Sequence, residues 1–236
     1  MRGQSLAAFP PWLVNTVPAI LEWPKAGLAM MQKSLMQNSL AWMGAAFGIA
    51  LAIAAAVLAL QGTSNKGIRL ALELTARWSF LLFWLAYTGN AVAMLFGPEN
   101  LARKGREFGL AFASAHLVHI GLVIWLSRIL DRPVLPPGLF LFFAIGLFFV
   151  YLLAGLSFGG AKKLSPAVWR IIKFVSMNYI LIAFGRDFVL PVIHPKPAQI
   201  NPGHFLFYAP FMLASITAPL LVLAAHLRRP ATPKIA

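Results

Sequence analysis

Two histidines stand three residues apart in "GLAFASAHLVHIGLVIWL", residues 109–126, a stretch otherwise suited to hydrocarbon. On a helix, His116 and His119 project from neighbouring points of one face. An ionisable side chain inside a membrane is costly unless something uses it. Two uses fit imidazole. Neutral rings can hydrogen-bond to a backbone carbonyl or to Ser114 and hold helices together. Alternatively, one ring can ligate a metal, most naturally the iron of a haem. With the helix starting near residue 107, His119 lies ~18 Å along its axis. That is past the midplane and out of reach of water by snorkelling.

Other polar residues have simpler readings. Arg69, Glu73 and Arg77 recur every fourth residue just ahead of the second apolar run. This spacing predicts a solvated ladder at the outer surface, with Glu73 paired to both arginines. Lys173 and Arg186 bracket the fifth apolar run. Lys173 sits only ~9 Å in from the edge, within snorkelling reach of water, and Arg186 adjoins Asp187. Both read as interfacial anchors. His194, His204 and His226 have no neighbours at ligand spacing. The chain has no cysteine, so disulfides, thiolate metal sites and iron–sulfur clusters are excluded.

The elements that position these groups are set by composition. Of 236 residues 60% are hydrophobic and only 11% charged, against roughly 25% charged in soluble domains. Apolar runs near the ~20 residues that cross a bilayer predict an all-α integral membrane protein, a six-helix transmembrane bundle. A β-barrel's alternating segments are absent. The spans are expected at 40–61, 78–97, 107–127, 138–158, 167–185 and 205–227. Residues 1–39 form an N-terminal interfacial segment, with Trp12 and Trp23 among Pro10, Pro11, Pro18 and Pro24. The bundle covers 40–228, and 229–236 is a basic cytoplasmic tail. After Met1 and Arg2, "SLAAF" is too short for a secretory signal. In the first span Gly44, Gly48, Ala52 and Ala56 line one face, predicted to be where another backbone approaches.

The net charge of +14 would suggest nucleic acid in a soluble protein. Here the basic residues flank apolar runs, so nucleic acid is excluded as a partner and membrane lipid is expected. Counted by side, Lys and Arg total twelve with the termini against six opposite, leaving out Arg77 and Lys173. Both termini are therefore expected in the cytoplasm, across an inner (plasma) membrane.

Several motifs resemble a known family. "TARWSFLLFWLAYTGNAVAMLFG" and "RKGREFGLAF", then Gly109 followed ten residues later by His119, and later "LSPAVWR", are similar to the ferric-reductase-like transmembrane domains. That family includes the haem-bearing membrane partner of a periplasmic methionine sulfoxide reductase and, more distantly, the NADPH oxidases. The resemblance covers roughly residues 70–190. It implies haem b held between the third and fifth spans, with His119 in the third-span ligand role. The family's fifth-span histidines fall on Lys173 and Arg186. Lysine ligates iron only when neutral, and arginine effectively never loses its proton. A bis-histidine haem cannot be assembled here in the family's manner.

Two functions are carried forward. One is a b-type haem electron-transfer protein, the membrane component of an oxidoreductase system. His119 and His116 would then stand at the iron, with Lys173 and Arg186 beside the cofactor. Its partners would be a membrane or periplasmic redox protein, or a quinone, since no flavin or nucleotide domain follows the last span. The other is a haem-free accessory subunit of a larger membrane complex. A transporter has only a thin polar path in Asn90, Ser114, Asn178 and the histidines.

Overall fold

The computed structural model describes residues 25–130, 133–195 and 202–228, with side chains from residue 36 onward. Among them the chain is helical, with no strand: α1 (Lys25–Gln61), α2 (Asn65–Phe96), the short α3 (Glu99–Arg103), α4 (Gly105–Ile129), α5 (Pro137–Ser157), a 3-10 turn (Gly160–Lys163), α6 (Pro166–Ile193) and α7 (Pro202–Leu227). All except α3 and the 3-10 turn contain a segment long and apolar enough to cross a membrane. The six-span all-α bundle expected from composition is what forms. By internal packing the chain divides into two units, Met1–Leu40 and Ala41–Ala236, and the helix-to-helix packing of the bundle lies within the second. The expectation for Trp12 and Trp23 and that for the tail fall outside the described residues.

Local chemistry sets the helix ends. Ser165 caps α6, its hydroxyl accepting from the Val168 N–H at 3.3 Å, and Pro166 occupies the first turn, where its missing N–H costs nothing. Gly97 ends α2 at φ +95°, its N–H returning to the Ala93 carbonyl, a left-handed conformation glycine adopts freely. The turn from α1 to α2 is tight. A Cβ at Gly67 would run into the Gly62 carbonyl, so that position takes only glycine without a backbone shift.

Three helices depart from their expected limits. α1 begins at Lys25 rather than 40, so the helix of the first span already includes residues 25–39, which were expected to belong to the interfacial segment. α2 begins at Asn65 rather than 78, which makes Arg69, Glu73 and Arg77 part of the spanning helix. At 32 residues it is ~48 Å long, well beyond the hydrocarbon thickness, so polar residues in its first turns need not end it. α6 runs on to Ile193 through Arg186, Asp187 and Pro191.

α1 packs through a different face from the one expected. Ala46, Ala50, Ala54 and Val57 are buried, whereas Gly44, Gly48, Ala52 and Ala56 are exposed. The two lines of small residues lie two positions apart, on nearly opposite sides of the helix, and only one can face the bundle. The alanine line does, fixed by the Trp78 Nε1–H donating to the Ala46 carbonyl at 3.0 Å and the Ser114 hydroxyl donating to the Met43 carbonyl at 2.9 Å. Nothing lies within 4 Å of a Cβ built at Gly44 or Gly48. Gly44→Ala and Gly48→Ala should therefore leave thermal stability in detergent unchanged or raise it by up to ~1 kcal/mol each, the helix-propensity difference. A lower melting temperature would mean that this face is packed.

Side-chain donors tie each neighbouring pair of helices. Trp84 Nε1 donates to the Ala214 carbonyl at 3.1 Å, joining α2 to α7. The Tyr87 hydroxyl donates to Asn178 Oδ1 at 2.9 Å, joining α2 to α6. The Tyr179 hydroxyl reaches the Phe142 carbonyl at 3.0 Å across α5 and α6. In lipid, where apolar burial gives little preference for one helix over another, such bonds and close packing select the partners.

The connections also fix which charges share an end. Arg106 Nε donates to the Ser157 carbonyl at 3.1 Å, and Arg228 Nη1 to the Leu95 carbonyl at 3.4 Å. The starts of α4 and α6 and the ends of α2, α5 and α7 therefore lie together. That end holds Arg103, Lys104, Arg106, Lys162, Lys163, Arg170 and Arg228. The other holds Lys66, Arg69, Arg128 and Arg186. The charge asymmetry read along the sequence is an asymmetry of the folded bundle.

Candidate functional site

α4 brings His116 and His119 together as its spacing requires. Their rings stack, with centroids 5.1 Å apart and planes 15° from parallel. His119 leans on α2: its Nδ1 lies 3.2 Å from the Leu72 carbonyl and 3.4 Å from the Thr75 hydroxyl oxygen. Thr75 Oγ1 itself donates to the Ala71 carbonyl at 2.8 Å. The carbonyl contact makes Nδ1 the protonated nitrogen of His119 and leaves Nε2 with its lone pair. His116 Nδ1 is buried and without a hydrogen-bond partner. Its ring is held by aromatic neighbours, Phe112 at 5.5 Å and Phe184 of α6 at 6.0 Å.

Phe184 belongs to a continuous cluster. Phe80 and Phe83 of α2, Phe112 of α4, Phe184 and Phe188 of α6 and Phe211 of α7 contact one another at centroid distances of 5.0 to 6.5 Å. Several pairs are T-shaped or tilted, the arrangements ring quadrupoles favour. The space between α2, α4, α6 and α7 is thus packed with phenyl rings, and the α6 side chain that meets His116 is itself one of them.

Lys173 and Arg186 are not brought to the histidines. Lys173 is exposed on α6, eleven residues before Phe184 and so ~16 Å from it along the axis. Arg186 turns toward α5, its guanidinium 5.8 Å from the Phe143 ring, and pairs with Asp187 at 3.1 Å. That ion pair is the only one among the described residues. His204 Nε2 lies 3.2 Å from the Pro191 carbonyl, and His226 is exposed. No group of three or more His, Cys, Asp or Glu capable of holding a metal occurs among the described residues.

These positions test whether the site suits a haem. Axial ligands of one iron approach from opposite faces of the porphyrin, but stacked rings on successive turns of one helix lie on the same side. At most one of the two histidines could serve. The α6 side chain that meets His116 is the Phe184 ring, which offers no donor for a second ligand from the facing helix. The residues present do not fit a haem clamped between these helices.

The expected polar ladder on α2 is replaced by a different construction. Glu73 forms no ion pair with Arg69 or Arg77: Arg69 Nε donates to Asn65 Oδ1 at 2.6 Å, and Arg77 Nη1 donates to the backbone carbonyl of Glu73 at 2.7 Å. Arg77 is only 6% exposed. Its guanidinium carbon lies 3.5 Å from the centre of the Phe207 ring and 4.6 Å from that of Tyr208, with Phe211 and Phe188 at 5.4 and 5.8 Å. Its Nε donates to the Phe207 carbonyl at 3.3 Å, and its Nη2 is buried without a partner. Sequence reasoning missed Arg77 because a charge every fourth residue looks the same whether its face is wet or packed. A usable signal was "FLFYAPF" in α7, where aromatic rings precede and follow a proline that interrupts the carbonyl ladder.

Fold and site together define an all-α, multi-pass membrane bundle with a phenylalanine-packed interior. No protein-family model, curated protein or solved structure matches the chain.

Proposed function

We propose that this chain is a haem-free membrane subunit that works by packing, an accessory component of a larger membrane complex. The observation that carries this reading is the contact of Phe184 with His116 inside the six-ring cluster, at the level where a porphyrin would have to lie. The fate of the polar groups supports it. Ser114, Tyr87, Asn178 and His119 are all committed to helix-to-helix hydrogen bonds, which favours a scaffold over a transport path. The charge asymmetry supports placing the basic end, and both termini with it, on the cytoplasmic side of an inner (plasma) membrane.

The alternative, b-type haem electron transfer, keeps one observation in its favour. The His119 Nδ1–H on the Leu72 carbonyl is the outer-shell contact that orients a ligating imidazole and raises its basicity. A reduced-minus-oxidised spectrum of detergent-purified protein, produced with ample haem, separates the two readings. The expected trace is flat through the Soret and α regions. Sharp bands that disappear in His119→Ala would overturn the packing reading. The packing reading also expects the chain to run within a larger assembly on native gels of mildly solubilised membranes, and migration at its own size alone would count against it.

A further inference from the structure

We propose that the basic end of the α5–α6 hairpin is a binding site for the phosphate headgroup of an anionic phospholipid, held by Arg170 and Lys173. From residue 137 to 185 the chain carries Lys162, Lys163, Arg170 and Lys173 and no aspartate or glutamate at all. All four cations are exposed, and none pairs with a carboxylate among the described residues. Elsewhere at this end the basic groups have internal partners: Arg106 and Arg228 donate to carbonyls, and Lys104 lies over the Trp42 ring at 5.3 Å. The hairpin's charges are the ones left for an outside ligand.

The surroundings specify that ligand. Arg170 and Lys173 are three residues apart, neighbours on one face of α6. Around them Ile171 is 63% exposed, Phe174 70% and Val175 47%. Large apolar side chains turned outward on a spanning helix meet acyl chains, and Lys173 lies ~10 Å beyond Pro166, near the boundary between headgroups and hydrocarbon. From there its stem lies along the apolar surface while the ammonium reaches the phosphate level. A guanidinium one turn nearer the surface adds a planar fork suited to phosphate oxygens. A lipid satisfies both halves of this surface at once, the phosphate on the two cations and the chains on Ile171, Phe174 and Val175. Free phosphate satisfies only the first. A zwitterionic headgroup brings its own cation into the cluster and is disfavoured.

The test uses the full chain in nanodiscs made from equal parts phosphatidylglycerol and phosphatidylcholine. After extraction into mild detergent, retained lipid is counted by native mass spectrometry. The wild type is expected to keep phosphatidylglycerol over phosphatidylcholine by at least fivefold. Arg170→Gln/Lys173→Gln should bring the ratio close to one, while Lys66→Gln/Arg69→Gln at the other end leaves it unchanged. Millimolar inorganic phosphate should not displace the lipid. An unchanged preference in the Arg170/Lys173 variant, an equal loss in the control pair, or displacement by inorganic phosphate would each overturn the assignment. The outcome does not depend on whether the bundle carries haem.

Discussion

Phe80→Ala is expected to be among the most damaging single truncations in the bundle, costing about 3 kcal/mol, the lower end of the range for emptying a phenylalanine site in a core. Phe80 is fully buried and meets Phe83, Phe184, Phe188 and Phe211, so its ring is shared by α2, α6 and α7. The lower end applies because helices unfolded from one another remain in lipid, and transfer from water drops out of the difference. What remains is the cavity and the lost dispersion contacts, which close packing makes large. Unfolding in mixed micelles of increasing SDS, followed by tryptophan fluorescence, reads the effect. Phe80→Leu, which refills most of the volume, should recover more than half of it. If both variants unfold with the wild type, the six rings are not the interior of the bundle, and the space between α4 and α6 is open to a cofactor after all. The same measurement therefore bears on the function as well as the fold.

Much of the fold was legible because lipid imposes one rule everywhere. Runs of about twenty apolar residues must become helices with every backbone group paired internally, so all six spans could be placed from hydropathy. Where the chain leaves that regime, the reading weakened. The first thirteen residues of α2 carry Arg69, Glu73 and Arg77. Hydropathy ends a span at such charges, yet nothing in helix physics does, and α2 continues through them. The same holds for α6 beyond Arg186 and Asp187. Which face of a span packs was less legible still. In α1 both faces carry small residues, and the choice between Gly44/Gly48 and Ala46/Ala50 depends on Trp78 and Ser114, which are distant in sequence.

At the candidate site, the pairing of His116 with His119 followed from a three-residue spacing. Their surroundings did not. That Phe184 would meet His116, and that Leu72 would accept from His119, depends on the rotation of α2 and α6 against α4, which periodicity in nearly uniform apolar sequence leaves undetermined. Lys173 was read as an anchor and again as the residue aligned with a lost haem ligand. Only its exposure on α6 distinguishes the two, and it favours the first.

Arg77 offers the second large effect, and a series of substitutions shows what the residue is for. Arg77→Ala removes a side chain that fills the gap between α2 and α7, rests on Phe207 and Tyr208 and donates to the Phe207 carbonyl. Each cation–π contact is worth about 0.5–2 kcal/mol and a hydrogen bond from a charged donor about 1.5–3, set against the cost of a desolvated charge with no carboxylate within ion-pair distance. A net loss of roughly 2–4 kcal/mol is expected. Arg77→Met restores the volume without the charge. Because apolar replacements of similar volume for buried charges are often neutral or better, methionine should recover most of the loss, to within about 1 kcal/mol of the wild type. Arg77→Lys should fare nearly as badly as alanine, since an ammonium keeps the desolvation cost but loses the planar stack and the fixed Nε donor. The order wild type, Met, Lys, Ala in SDS unfolding would make Arg77 a packing element between α2 and α7. If lysine instead outperformed methionine, the positive charge itself would be required, and Glu73 and Tyr208 would become members of an electrostatic site.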